Sequence, residues 1–185
     1  MYAMSIIPSD NRILFYHRDR QSFGFLSNFH VSPIVVDGET WPSSEHYYQA
    51  QKSLQSEYRD QLRAAYSPGH AKRLAADPAL PRKRSGQSWF RRNGVSIRAD
   101  WQEVKLQVMR NAVRAKFSQN SELSQRLLAT GAAELLEDSE SDSYWGSGNK
   151  DEGLNWLGRV LMEVRAELKI HSLPSTGGRI VVGES

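Results

Sequence analysis

The spacing of apolar residues predicts short strands near the start of the chain. Residues 13–16 are a short apolar run typical of a strand, and residues 34–41 are typical of a hairpin. Asp37 and Gly38 lie at the centre of that hairpin, and both residue types tolerate the positive φ that a tight hairpin turn requires. These strands are too short to form a large sheet, so we expect β structure to be a minor part of the fold.

Helical spacing dominates the rest of the chain, with apolar residues three and four positions apart. It predicts five helices, over residues 43–62, 70–76, 101–117, 121–130 and 155–169. Asp100 followed by Glu103 resembles a capping box at the start of the third helix, and Gly131 is placed to cap the end of the fourth. Residues 138–153 predict a polar, glycine-rich surface loop. The predicted fold is therefore mainly α with small β elements, in a single compact domain.

The length and composition of the chain exclude several classes of protein. The 185 residues suffice for one domain that buries a core, and we expect it to span residues 1–170, with a loose tail over residues 171–185. There is no cysteine, which excludes thiol catalysis, disulfides and iron–sulfur clusters and permits a reducing compartment. Residues 4–7 form only a short apolar patch, well below the length of a signal segment or a membrane span. We expect a cytoplasmic protein without a membrane partner.

Positive charge is concentrated in the basic loop from Arg82 to Arg98, although the net charge of the chain is only +3. The segment contains six cations and no acidic residue; the cations are Arg82, Lys83, Arg84, Arg91, Arg92 and Arg98. Such a loop suits contact with phosphates or with a nucleic-acid backbone. A loop kept basic for solubility is an equally good interpretation. The chain also has five tryptophans and seven tyrosines, more than core filling usually needs, and aromatic faces can stack on a planar base.

Three polar residues are candidates for chemistry at the start of the first predicted helix. If Ser43 is the N-cap, Glu45 lies in the first turn, where unpaired N–H groups favour an ionised carboxylate. On a helical wheel, Glu45, Gln49 and Lys52 share one face. A carboxylate, an amide and an ammonium in one row can bind a sugar and assist the departure of a base. Alternatively, Glu45 only stabilises the helix start, with the other two side chains in solvent.

A lysine in an apolar arc is a second candidate. On the helix predicted for residues 101–117, Lys105 falls among Trp101, Val104, Val108 and Met109. Burial would disfavour the ammonium and free a nucleophilic amine near neutral pH. The alternatives are that the side chain reaches the surface or pairs with a buried carboxylate. Lys116 occupies a similar arc, but it lies in the last turn, where a cation is expected to cap the helix.

A third candidate is the loop around Asp142 and Trp145. An acidic residue precedes an aromatic pair flanked by Gly146 and Gly148, so the loop can offer a carboxylate and a stacking face. The five histidines show no metal-ligand spacing, and no glycine-rich phosphate loop follows a predicted strand. We therefore predict neither a metal nor a cofactor.

Taken together, the motifs resemble those of the NADAR (YbiA-like) family from about residue 14 to residue 168. The resemblance rests on short segments in a fixed order: Phe25-Leu26-Ser27-Asn28-Phe29, Trp41-Pro42-Ser43-Ser44-Glu45-His46-Tyr47-Tyr48-Gln49-Ala50, Asp100-Trp101 with Val104-Lys105 and Val108-Met109, Tyr144-Trp145-Gly146, and Asn155-Trp156-Leu157-Gly158-Arg159. Each segment alone is moderately specific, and their order makes the match highly specific.

The resemblance implies a mostly helical fold and metal-free hydrolysis of N-glycosidic bonds. The family's substrates are phosphoribosylated pyrimidine intermediates of riboflavin biosynthesis and ADP-ribose attached to guanine in nucleic acid. By similarity, Glu45, Trp101, Asp142 and Trp145 match positions important for activity, and Lys105 matches a lysine that we assign as the nucleophile.

These inferences combine into a mechanistic hypothesis. Lys105 attacks or traps the sugar carbon, Glu45 transfers the proton, and Asp142 stabilises positive charge or orients the substrate. Trp101 and Trp145 stack on the base or sugar. The further expected binding residues are Asn28, Tyr47, Gln49, Lys52, Gly146 and Asn155.

The expected partner is a phosphorylated ribosyl-base substrate, with ADP-ribosylated DNA or RNA a further possibility through the basic loop. Two other readings stay open: a non-catalytic module that reads ADP-ribose or NAD-like ligands, and a plain nucleic-acid-binding module. A reader would hold ADP-ribosylated oligonucleotide unchanged, whereas an enzyme would return unmodified guanine in the oligonucleotide.

Overall fold

The computed structural model describes residues 11–16, 22–75 and 94–172, and in these ranges the fold is mainly α with small β elements, as predicted. Its helices are α1 (Ser44–Ala50), α2 (Ser56–Arg63), α3 (Pro68–Leu74), α4 (Trp101–Ser118), α5 (Ser121–Leu128) and α6 (Trp156–His171). Its strands are β1 (Arg12–Phe15), β2 (Ile34–Val36), β3 (Glu39–Trp41) and β4 (Glu134–Glu137). Most of the predicted basic loop, and residues 173–185 of the tail predicted from residue 171, lie outside the described residues. His171 belongs to α6 and not to the tail.

The strands form two small sheets. β2 and β3 pair antiparallel as the predicted hairpin, with φ of 52° at Asp37 and 77° at Gly38. β1 pairs in parallel with β4, in a register that sets Arg12 opposite Glu134 and Phe15 opposite Glu137. The pattern of the sequence did not predict β4, and this strand brings a new carboxylate to the site described below.

The long helix predicted over residues 43–62 is wrong, because the chain forms two helices, α1 and α2, separated by residues 51–55. The backbone tightens after α1, where Ser53 N–H bonds to the carbonyl of Ala50, three residues earlier. The carbonyl of Lys52 accepts from the backbone N–H of Arg98, 2.9 Å away, instead of from a later turn. As a result Leu54, expected in the apolar stripe, is 72% exposed. The break lets α2 fold back so that the Tyr58 hydroxyl donates to the Gln49 carbonyl.

The core lies around α4, which packs against α1, α5, α6 and β2. Trp41 and Phe117 are completely buried, and Trp41 meets Tyr47 edge to face at 5.8 Å between ring centroids. At the surface, Arg110 and Arg114 of α4 form ion pairs with Glu163 and Glu167 of α6. The central helix therefore carries apolar contacts on one side and cross-helix ion pairs on the other.

The ends of α4 and α5 test the predicted caps. Asp100 does precede α4, but its side chain makes no capping hydrogen bond, so the predicted capping box is wrong. Its carboxylate instead binds the guanidinium of Arg98 at 2.5 and 2.7 Å. Gly131 follows α5 with a φ of 60°, and its N–H bonds to the Leu128 carbonyl, as expected for a C-terminal cap.

No helix in the described parts of the chain is long and apolar enough to cross a membrane.

Candidate active site

A cavity of about 200 Å³ lies where α1, α3, α4 and the loop after β4 meet. Its lining is rich in charged and aromatic groups and consists of Asn28, Phe29, Glu45, Tyr48, Gln49, Lys52, Lys72, Met109, Glu137, Asp142, Trp145 and Leu157. Residues from distant parts of the sequence therefore meet in one hollow, which makes it the candidate active site. Predicted site residues that line it are Asn28, Glu45, Gln49, Lys52, Asp142 and Trp145.

Glu45 is the most deeply buried carboxylate of the cavity. Ser43 caps α1 by accepting the His46 N–H, and this start turns Glu45 inward, where it is 5% exposed. Burial raises the pKa of its carboxyl group, against the opposing effects of a hydrogen bond from Gln49 and of the charges on Lys72 and Lys52. Gln49, itself 4% exposed, donates to Glu45 Oε1 at 2.8 Å. The structure thus does not support the alternative in which Gln49 is solvated, and Glu45 is placed to hold and release a proton.

Asp142 is oriented by its own loop. Its Oδ1 accepts the backbone N–H groups of Tyr144 at 3.1 Å and Trp145 at 2.8 Å. This tight turn fixes the carboxylate and presents the Trp145 indole to the cavity, edge to face with Tyr48 at 5.4 Å. Trp101 packs on Tyr48 at 5.2 Å and is not part of the lining. Trp101 therefore supports the aromatic wall from behind.

Two charged residues of the cavity were missed by sequence reasoning. Glu137 ends β4, and burial, followed by the charges of Asp142 and Glu45, raises its pKa to about 7. The adjacent buried pair Leu135 and Leu136 was a weak signal for the strand that carries it. Lys72 comes from α3, with Nζ 5.6 Å from the centroid of the Phe29 ring. Nothing in its local pattern distinguishes it from a solvated helix residue.

Lys105 is not brought into the cavity. Its Nζ donates to Gln102 Oε1 at 2.7 Å and lies 3.7 Å from the centroid of the Tyr144 ring. The amine is therefore held on an aromatic face by a cation–π contact, beside a partner from its own helix. The expected meeting of Lys105 and Glu45 within one cavity does not occur in this structure.

The buried lysine of α4 is Lys116, which binds another segment of the chain, so its predicted role as a cap of its own helix is wrong. Lys116 is 1% exposed, and its Nζ donates to the carbonyls of Phe25 at 2.6 Å and Ser27 at 2.8 Å. Burial, with a smaller contribution from Arg126, lowers its pKa to about 7. Because Asn28 of the cavity follows Ser27 directly, Lys116 anchors the segment that forms this wall.

Three other predicted binding residues also lie behind the cavity. Tyr47 is packed in the core and is 3% exposed. A Cβ at Gly146 would lie 2.9 Å from the carbonyl oxygen of Glu137, so this glycine permits the loop to approach β4. Asn155 uses its side chain on β4, accepting from the Glu137 N–H at 3.1 Å and donating to the Leu135 carbonyl at 2.8 Å. Gly146 and Asn155 therefore position residues that line the cavity.

Two amides complete the lining. Asn28 Nδ2 donates to the Met109 sulfur at 3.1 Å, while Asn28 Oδ1 and Gln49 Oε1 are buried acceptors without a partner among the described residues. Acceptors of this kind suit the hydroxyl groups of a sugar. Within the described ranges, no group of three or more histidine, aspartate or glutamate side chains is arranged to hold a metal ion.

The sequence and the fold of this chain are both similar to those of known proteins. Residues 14–169 match the NADAR domain family. N-glycosidase YbiA of Escherichia coli strain K12 is 44% identical over 164 residues, which is 89% of this chain and 92% of that protein. A riboflavin biosynthesis protein of Vibrio vulnificus is 43% identical over 86% of this chain, but over only 39% of its own length. The NMR structure of E. coli YbiA matches with a TM-score of 0.73 at 42% identity, over 91% of this chain and 92% of that one.

Proposed function

The chain belongs to the NADAR family, and on that premise we propose that it is a hydrolase of N-glycosyl bonds. It separates the base from the ribose of a phosphorylated ribosyl-base substrate. The observation that carries this proposal is Glu45, a buried carboxyl group with a raised pKa, facing a cavity that also holds Asp142 and Trp145. A carboxyl group whose pKa is raised holds its proton to higher pH and can protonate a leaving base.

Cleavage of a ribosyl–nitrogen bond passes through a state in which the sugar carries positive charge. Two groups must then act together: an acid that neutralises the departing base, and an anion near the sugar carbon. Glu45 supplies the acid, and the carboxylate of Asp142, fixed by its two backbone N–H bonds, supplies the negative charge. Trp145 offers an indole face against which the base can stack.

The cations of the cavity fit the phosphorylated half of such a substrate. Lys52 and Lys72 both line the hollow, and Lys72 is exposed, which sets it at the mouth. A volume of about 200 Å³ is below the roughly 300–1,000 Å³ of pockets that enclose drug-sized ligands. The hollow therefore suits one ribosyl group with its bond to the base, while the rest of a larger substrate stays outside. Asn28 and Gln49 offer acceptors to the sugar hydroxyls.

Two substrate classes contain this bond in the required form. Phosphoribosylated pyrimidine intermediates of riboflavin biosynthesis are supported by the names of relatives from Vibrio vulnificus and Zea mays, both called riboflavin biosynthesis proteins. ADP-ribose attached to guanine in nucleic acid is the second class. Arg73, exposed beside Lys72 on α3, supports it by extending positive charge along the outer face of this helix.

The test offers both substrates to the purified protein and measures by chromatography the base released from the phosphoribosylated pyrimidine and the ADP-ribose released from the nucleic acid. With Glu45→Gln, we expect release to fall by about 10²–10⁴-fold, because the leaving base no longer receives a proton. Glu57→Gln is a matched control, since Glu57 also lies in the first turn of a helix but is exposed. Tight binding without any release by the wild-type protein would indicate a reader module and overturn the proposal, as would normal release by Glu45→Gln.

A further inference from the structure

We propose that Glu137 is a second catalytic carboxylate of this reaction and removes the proton of the attacking water while Glu45 protonates the leaving base. This inference rests on the proposed function and goes further, because it assigns the activation of water to a named residue. None of the sequence motifs discussed above includes Glu137.

The backbone of Glu137 is held by several hydrogen bonds. Its N–H donates to Asn155 Oδ1 at 3.1 Å, and its carbonyl accepts from the N–H groups of Ser147 at 2.8 Å and Ser139 at 2.9 Å. Pairing of β4 with β1 fixes the residue from a further side, opposite Phe15. A side chain at the end of so constrained a strand is positioned tightly, as groups that act on a reacting atom need to be.

The carboxylate of Glu137 faces the cavity. Glu137 lines the same cavity as Glu45 and Asp142, and within the described residues no ion pair or side-chain hydrogen bond involves its carboxylate oxygens. A partly buried acid without such a partner destabilises a fold, so its place in a cavity indicates a function.

The carboxyl group of Glu137 also has a raised proton affinity. Burial and the two neighbouring carboxylates raise the pKa of Glu137 to about 7, while Lys72 works in the opposite direction. A base works best when its pKa lies near the working pH, since it is then free to accept a proton and strong enough to hold it. Glu45 and Glu137 can therefore divide the roles of acid and base.

The step balances without a further reactant. The water oxygen forms a bond to the anomeric carbon, and the carbon–nitrogen bond breaks with its electron pair going to the base. One water proton passes to Glu137, and the proton of Glu45 passes to the nitrogen. Return of a proton from Glu137 to Glu45 restores the starting state.

The first measurement compares Glu137→Gln with wild type over pH 5 to 9. In wild type, kcat/KM should fall as the pH drops below about 7, because Glu137 becomes protonated. In Glu137→Gln, release of base should fall by about 10²–10⁴-fold and the residual rate should lose this acid limb. Glu140→Gln, the same change at an exposed position of the adjoining loop, should keep both rate and profile.

A second measurement separates the base from the acid. A p-nitrophenyl riboside 5-phosphate has a leaving group that needs no proton, so Glu45→Gln should recover activity on it, whereas Glu137→Gln should not. Sodium azide, which attacks without a base, should restore bond cleavage in Glu137→Ala and give a ribosyl azide phosphate.

The outcomes distinguish the two proposals. A wild-type protein that releases neither base nor ADP-ribose overturns both. A wild-type protein that releases base, but lacks the acid limb or works equally well as Glu137→Gln, overturns the role of Glu137 alone. The acid limb is read from the wild type, so this test stands even if a variant fails to fold.

Discussion

Replacing Lys116 by methionine should remove a pH-dependent part of the protein's stability. The ammonium group is buried in the folded protein, where its pKa is about 7 instead of 10.5. Below pH 7 both the folded and the unfolded chain hold this proton. Between about pH 7 and 10.5 the folded chain releases it while the unfolded chain keeps it. Because stability rises with pH wherever the unfolded state binds more protons, the free energy of unfolding of the wild type should rise across this range.

The size of the effect follows from the two pKa values. Each factor of ten is worth 1.36 kcal/mol, so the full difference is about 5 kcal/mol and the part gained between pH 7 and 9 is about 2 kcal/mol. Methionine has a similar shape and no proton to lose. It also leaves the carbonyls of Phe25 and Ser27 without a donor, at roughly 1–3 kcal/mol each. That second cost does not vary with pH, so the slope is the quantity to measure.

The assay is urea unfolding at pH 7, 8 and 9, followed by tryptophan fluorescence. The free energy of unfolding of the wild type, minus that of Lys116→Met, should grow by about 2 kcal/mol over this range. Lys169→Met, at an exposed position near the end of α6, should give a difference that stays flat. Parallel pH profiles for wild type and Lys116→Met would refute the reasoning and show that the folded protein keeps Lys116 charged.

Three further expectations follow from the site and the core. Lys105→Ala should release base at a rate within a few-fold of the wild-type rate. Borohydride added during wild-type turnover should trap no ribosyl adduct, and an adduct trapped at Lys105 would restore its amine as the nucleophile. Lys72→Gln should raise KM about tenfold for a phosphorylated riboside but not for its unphosphorylated analogue, and Arg73→Gln should do so less, as steady-state kinetics will show. Gly158→Ala should lower the free energy of unfolding by about 2–4 kcal/mol in urea titrations, because a Cβ there would overlap the Leu135 carbonyl oxygen; unchanged stability would contradict this packing.

Local signals were enough for the elements that depend on local interactions. The third and fifth predicted helices match α4 and α6 to within about two residues, because their apolar periodicity runs over several turns. The hairpin was found because Asp37 and Gly38 suit its turn. β4 was not found, since four residues with two adjacent leucines form a strand only when β1 pairs with them.

The candidate site shows a similar division. Glu45 and Asp142 could be identified because sequence motifs surround both. A helical wheel, however, gives the face on which a residue lies and not what packs against that face. It therefore singled out Lys105, whose amine rests on Tyr144, and passed over Lys116, whose amine is enclosed by the segment before Asn28. Glu137 and Lys72 reach the cavity only through tertiary packing.

The parallel pairing of β1 with β4 makes the assembly of the candidate active site depend on a strand near the start of the sequence. Arg12 and Glu134 are 122 positions apart, so their pairing closes a loop whose entropy cost is about 4 kcal/mol. A folding intermediate with docked helices but without β1 would still lack the support that holds Glu137. Removal of the first sixteen residues should therefore abolish activity, although strand β1 itself does not line the cavity.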